Sequence, residues 1–150
     1  MKSLLISLVV CLGAFSASAE DLFPALSENP SMNIVYVSKE MMKNSNTSRS
    51  VLYDQLGIYN TKNINDFYIY SPADAEGKTA LDSAFAKFEA KNKDMKVLMK
   101  SKTNKEETTI YGIPYPSDPR FYSAILLMKK GKDSSLIVLT GAISLAQYGG

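Results

Sequence analysis

One apolar segment in the last third of the chain constrains its fold more than any other feature. Phe121–Lys129 (FYSAILLMK) is apolar at consecutive positions, so a strand built from it carries oily side chains on both faces. Such a strand belongs at the centre of a sheet, with both sides covered or partly covered. Lys130–Asp133 (KGKD) reads as a hairpin turn around Gly131, and Ser135–Thr140 (SLIVLT) pairs with the preceding strand. Gly141 is expected to break that strand, and Ala142–Tyr148 to form a short terminal helix.

The rest of the chain supplies neighbours for this centre. Asn33–Val37 (NIVYV) is a strand by its β-branched and aromatic content. Ser38 is placed to cap a helix over Lys39–Lys43, with Met41 and Met42 facing the core. Asn44–Ser50 is polar and turn-rich, and Val51–Tyr59 carries one helical stripe through Leu52, Leu56 and Tyr59. Ile64–Tyr70 (INDFYIY) alternates, with Phe67 and Ile69 on one face and Tyr68 and Tyr70 on the other. Ser71-Pro72-Ala73-Asp74 resembles a helix start. Gly77 weakens it, so the helix is secure from Thr79 to Asn92, with Leu81, Ala84, Phe85 and Phe88 on one face. Lys96–Lys100 and Thr108–Ile113 are strands around a turn at Asn104–Glu107. Hairpins of this kind exclude a doubly wound parallel sheet, which needs a crossover between each pair of strands. The expected fold class is α+β: a single domain with a mainly antiparallel sheet and helices packed on one face.

Residues 1–19 read as a signal peptide of type I. Lys2 is its positive start, Leu4–Phe15 its apolar segment, and Ala17-Ser18-Ala19 its cleavage site, with cleavage expected after Ala19. The apolar run is shorter than the roughly 20 residues a membrane span needs. Cys11 lies inside that run behind Leu8-Val9-Val10, with no small residue before it, which argues against a lipoprotein. Residues 20–32 are an N-terminal arm or short helix with Leu22, Phe23 and Leu26 at helical spacing, and 33–150 form the α+β domain. The expected location is the periplasm or outside the cell, with no integral membrane span after removal of the leader.

The run Val35-Tyr36-Val37-Ser38-Lys39-x-Met41, with the later order of elements, resembles the domain-of-unknown-function 4252 family, small exported proteins of Bacteroidetes. The resemblance covers roughly residues 33–148 and closes on Leu136–Thr140 followed by Gly141. It implies export and a shared fold, and no activity. The sequence departs from the family pattern at Tyr111–Arg120 (YGIPYPSDPR), where the family uses a plainer hairpin.

Composition removes several chemistries. Of 150 residues none is His, which excludes a Ser-His-Asp triad and an imidazole base. Loss of the leader would remove the one Cys, and with it a thiol nucleophile and the usual zinc ligands. No Lys follows a Ser by three positions, and Gly57, Gly77, Gly112, Gly131 and Gly141 stand apart, so neither a Ser-x-x-Lys site nor a Gly-rich phosphate loop is indicated. Removing Lys2 from the 17 basic residues leaves 16 against 15 acidic ones, too balanced for a nucleic-acid surface. No metal or cofactor is indicated.

Carboxylates remain. Asp74 with Glu76, Glu106 with Glu107, and Asp118 lie in predicted loops, where an opposed pair would allow glycan hydrolysis and solvated charge is the alternative. Ser38-Lys39 reads as a helix cap beside a solvated lysine, and Asp82-Ser83-Ala84, an O-glycosylation pattern, falls inside a helix. The Tyr-Pro loop is the binding candidate. Tyr111, Tyr115, Arg120 and Tyr122 offer aromatic faces and a guanidinium, while Pro114, Pro116 and Pro119 stiffen the backbone. Against this stands a structural loop with its rings folded onto the sheet. The favoured function is a non-catalytic envelope module that binds an unknown protein or envelope component. The alternatives are a small carboxylate-dependent hydrolase of envelope glycan and a periplasmic chaperone or regulator.

Overall fold

A computed structural model describes residues 21–44 and 64–144. The expected leader, the expected Val51–Tyr59 stripe and the end of the expected terminal helix lie outside the described residues. Six strands form one sheet: β1 (Met32–Ser38), β2 (Ile64–Pro72), β3 (Lys96–Lys102), β4 (Glu106–Tyr115), β5 (Asp118–Gly131) and β6 (Ser135–Ile143). Their spatial order is β1-β2-β6-β5-β4-β3, and every neighbouring pair is antiparallel. Three helices accompany them: α1 (Pro24–Ser27), α2 (Lys39–Asn44) and α3 (Ala75–Lys91). The fold is α+β, a single open antiparallel sheet with a few helices.

The two-faced strand sits in the interior of the sheet, between β6 and β4. Ala124, Leu126 and Met128 of β5 join Leu136 and Val138 of β6 in one cluster, capped by Leu81 and Phe85 of α3 and by Phe23 and Leu26 of the N-terminal arm. Ile125 and Leu127 join Ile137 and Leu139 in a second cluster on the opposite face, with Phe67 of β2 and Met42 of α2. Side-chain alternation within each strand separates the two clusters. The register Leu126↔Val138 and Leu127↔Ile137 keeps like faces together.

Several local expectations hold. Phe67 and Ile69 take one face of β2, and Tyr68 and Tyr70 the other. The Ser38 hydroxyl accepts the Met41 amide at 3.3 Å, as a first-turn cap does. Two adjacent methionines cannot both face inward, however, because successive helical positions point about 100° apart. Met42 is 1% exposed and Met41 is 59% exposed. Gly141 does not end β6, which continues to Ile143. Its φ of 150° is open to glycine, and it lies where the β2 register shifts between Ile64 and Asp66. Ala142 and Ile143 are therefore strand and not the start of a helix.

The helix expected from Thr79 begins at Ala75, capped by the Asp74 carboxylate, which accepts the Gly77 amide at 2.9 Å. Gly77 is there because space is short. A Cβ at this position would lie 2.1 Å from the Ser31 carbonyl oxygen, which itself accepts the Ala73 amide at 2.8 Å. This close approach joins the segment before β1 to the start of α3. Gly77→Ala is expected to lower stability by about 1–3 kcal/mol in a denaturant melt, although Ala exceeds Gly in helix propensity by about 1 kcal/mol. A gain in stability would contradict the approach.

Candidate functional site

The four residues of the Tyr-Pro segment do not form one cluster. The segment is a hairpin in which β4 runs through Tyr115, β5 begins at Asp118, and Pro116-Ser117 make the turn. Alternation sends its tyrosines apart. Tyr111 lies under α3 with its ring 5.0 Å from Phe85, and burial raises its phenol pKa. Tyr122 lies on the opposite face over Gly112, where a Cβ would meet its ring at 2.6 Å. Tyr115 and Arg120 stay together at the hairpin end. The Arg120 guanidinium donates to both oxygens of Asp118, at 3.0 and 2.8 Å, and lies 5.9 Å from the centre of the Phe121 ring. That pairing holds the Asp118 carboxyl below its ordinary range and raises the guanidinium.

Of the other singled-out acids, Glu76 sits in the first turn of α3 and three have partners. Asp74 caps α3, Glu107 pairs with Lys100 at 3.1 Å, and Glu106 pairs with Lys129 at 3.4 Å. Lys100 lowers the Glu107 pKa, through its hydrogen bond first and its charge second.

Exposed apolar side chains gather at the two edges of the sheet. On β3, Val97 is 59% and Met99 48% exposed, and Lys96, Lys100 and Lys102 flank them. β3 meets β4 no further than Lys96↔Gly112, so among the described strands the end of β4, through Tyr115, has no outer neighbour. Val97, Met99 and Tyr115 thus lie along one margin of the sheet, with Arg120 on β5 at the end of the same hairpin as Tyr115; pairing with Tyr111 and Ile110 turns Val97 and Met99 to opposite faces. The lysines that bracket the short apolar run in KVLMK were the available signal for the first two. Strand order, which decides the edge, was not readable from it. On the opposite edge, β1 exposes Val35 and Tyr36, and Met41 is exposed just beyond it on α2.

Concavities also lie among the described residues. One of about 500 Å³ lies between the start of α3 and the β5–β6 turn, lined by polar groups that include Asp74, Lys78, Lys132 and Asp133. Lys78 spans it, donating to the Gly131 carbonyl at 2.9 Å. Another, about 230 Å³, is an apolar groove between Leu22–Ala25 and the Ala84–Lys91 face of α3.

A tyrosine ladder with an aspartate at each end crosses β1 and β2. The Tyr36 and Tyr68 rings are 4.7 Å apart, and those of Tyr68 and Tyr70 stack at 5.7 Å. Tyr36 donates to the buried Asp66 at 2.7 Å, and Thr140 donates to its other oxygen at 3.3 Å. Tyr70, fully buried, donates to Asp21 at 2.6 Å; Asp21 also accepts the Phe23 amide and the Ser27 hydroxyl. Burial first, and the neighbouring carboxylates second, push the Tyr36 and Tyr68 phenols up to about 12 and Tyr70 higher still.

A family model described as "Domain of unknown function (DUF4252)" matches residues 26–149. No curated protein and no solved structure matches the chain. No helix among the described residues is long and apolar enough to cross a membrane.

The ladder makes stability depend on alkaline pH. The folded state retains phenol protons that an unfolded chain releases from about pH 10. The stability this confers is complete below pH 10 and is lost as pH rises through about 12. Thermal melts are expected to show Tm falling across this window. Tyr70→Phe is expected to lose about 1.5–3 kcal/mol at neutral pH, because Asp21 loses a buried hydroxyl donor, and to fall less steeply on the alkaline side. A variant that matches wild type at every pH would contradict this role.

Proposed function

The chain belongs to the DUF4252 family, a domain of unknown function, and from that starting point we propose an exported, non-catalytic interaction module of the cell envelope. Its partner is a protein or surface component that docks along the outer margin of β3 and the end of the β4–β5 hairpin. One observation carries the reading: Val97, Met99 and Tyr115 stay exposed along one margin while both faces of the sheet are filled. Solvent-exposed apolar groups along an open strand margin, bordered by charge, offer a partner the edge itself rather than either face. The lysines of β3 suit a partner with acidic groups around an apolar centre. Arg120 stands at the hairpin end with its guanidinium oriented by Asp118. Export is supported by the leader-like residues 1–19, and absence of catalysis by the lack of His and of a Cys after the leader.

The same arrangement assigns unequal roles to the Tyr-Pro residues. Tyr115 and Arg120 are the contact residues; Tyr111 and Tyr122 act through packing, on opposite faces. The test is retention from an envelope extract on immobilised protein. Val97→Asp with Tyr115→Ala is expected to hold at least about tenfold less of a specific partner, a loss of ~1.4 kcal/mol or more, with the fold unchanged by circular dichroism. Retention of the same components at the same levels would refute the site.

A further inference from the structure

We propose that two copies of this chain pair through β1, strand against antiparallel strand, to form one continuous sheet across a two-fold axis. Among the described residues β1 is an edge strand, so its outward N–H and C=O groups have no strand beside them. Proteins guard such edges with charge, proline or a bulge. β3 is guarded: it carries Lys96, Lys100 and Lys102 and has a register shift between Val97 and Met99. β1 is not guarded. Its sequence, MNIVYVS, holds no charge and no proline, and its register with β2 is unbroken from Met32 to Ser38.

The contrast selects a second copy as the occupant. Antiparallel self-pairing of β1 centred on Val35 sets Val35 against Val35, and Ile34 against Tyr36 on either side of the axis. These are uncharged β-branched and aromatic pairs of the kind that stabilise a ladder. Self-pairing of β3 centred on Met99 would set Lys96 against Lys102 and so oppose like charges. An interface of this kind is isologous and therefore closed at two subunits. Val35 is already 52% exposed, and Tyr36 packs against the Tyr68 ring at a 35° tilt with its hydroxyl held by Asp66, so both side chains are already placed beside the open edge. The dimer places the two β3 margins at the far ends of a doubled sheet, free for the partner proposed above, but does not depend on that partner.

Two seven-residue strands bury less than a standard interface of roughly 1,600 Å². Dimerisation is therefore expected to be concentration-dependent. Sedimentation equilibrium of the purified protein from about 1 to 100 µM tests it, because the dimer fraction follows protomer concentration. The expected result is a reversible dimer at the upper end. Val35→Lys, which opposes two ammonium groups at the axis, is expected to weaken it by at least about tenfold. Val35→Thr and Ser101→Lys, the latter adding the same charge to β3, are expected to leave it unchanged. A monomer throughout the range would overturn the proposal. So would a dimer indifferent to Val35→Lys, or one weakened equally by Ser101→Lys.

Discussion

The burial of β5 and β6 on both faces is the constraint on which the rest of the molecule depends. A strand that is apolar on alternate residues needs one cover; FYSAILLMK needs two. The chain meets this demand by building outward from the β5–β6 hairpin, with β4 and β3 on one side and β2 and β1 on the other. α3 and the N-terminal arm then cover one face, while Met42 of α2 belongs to the cluster on the other. Each fully buried aliphatic side chain here contributes about 1.5–3 kcal/mol relative to exposure, which is how a chain with a single Cys, and so no internal disulfide, holds together.

Polar groups within this apolar frame fix position. Asp21 gathers the Tyr70 hydroxyl, the Ser27 hydroxyl and the Phe23 amide, so the short α1 is tied to β2 at a defined point. Phe23 then packs its ring on Tyr70 and Phe88. Asp66 does the same across β1, β2 and β6 through Tyr36 and Thr140. Losing one partner from such a group costs more than the bond itself contributes, because a carboxylate that is half-buried (Asp21) or buried (Asp66) is left under-satisfied. The ladder therefore specifies how the arm and the edge strand dock, a task that nonspecific apolar contact does poorly.

Much of this was legible in the residues. The two-faced strand, the hairpin at KGKD, the alternation in INDFYIY, the Ser38 cap and the inward face of α3 follow from periodicity and local chemistry. Features set by distant neighbours were not legible. Gly77 reads as a helix breaker until Ser31 is seen against it, and Gly141 reads as a strand end until the bulge in β2 appears. The Tyr-Pro segment reads as a loop because prolines punctuate sequence, yet Pro114 sits at a register shift where a strand tolerates it. For the same reason Tyr111 and Tyr122 read as companions of Tyr115, although the β4–β5 pairing sends them to opposite faces. Edge or centre is the least readable property of all. It depends on strand order, and it separates Val97 and Met99, exposed, from the chemically similar Leu126 and Met128, buried.

The molecule thus has a sheet centre that supplies cohesion and, under the proposed function, sheet edges that supply contact. Native-state hydrogen exchange at low protein concentration tests this division most directly. The amides of Ile125–Met128 and Leu136–Leu139 are predicted to exchange only through global unfolding, with those on the outer sides of β1 and β3 exchanging orders of magnitude faster through local opening. Uniform protection from β1 to β3, or a centre that exchanges as fast as its margins, would contradict it.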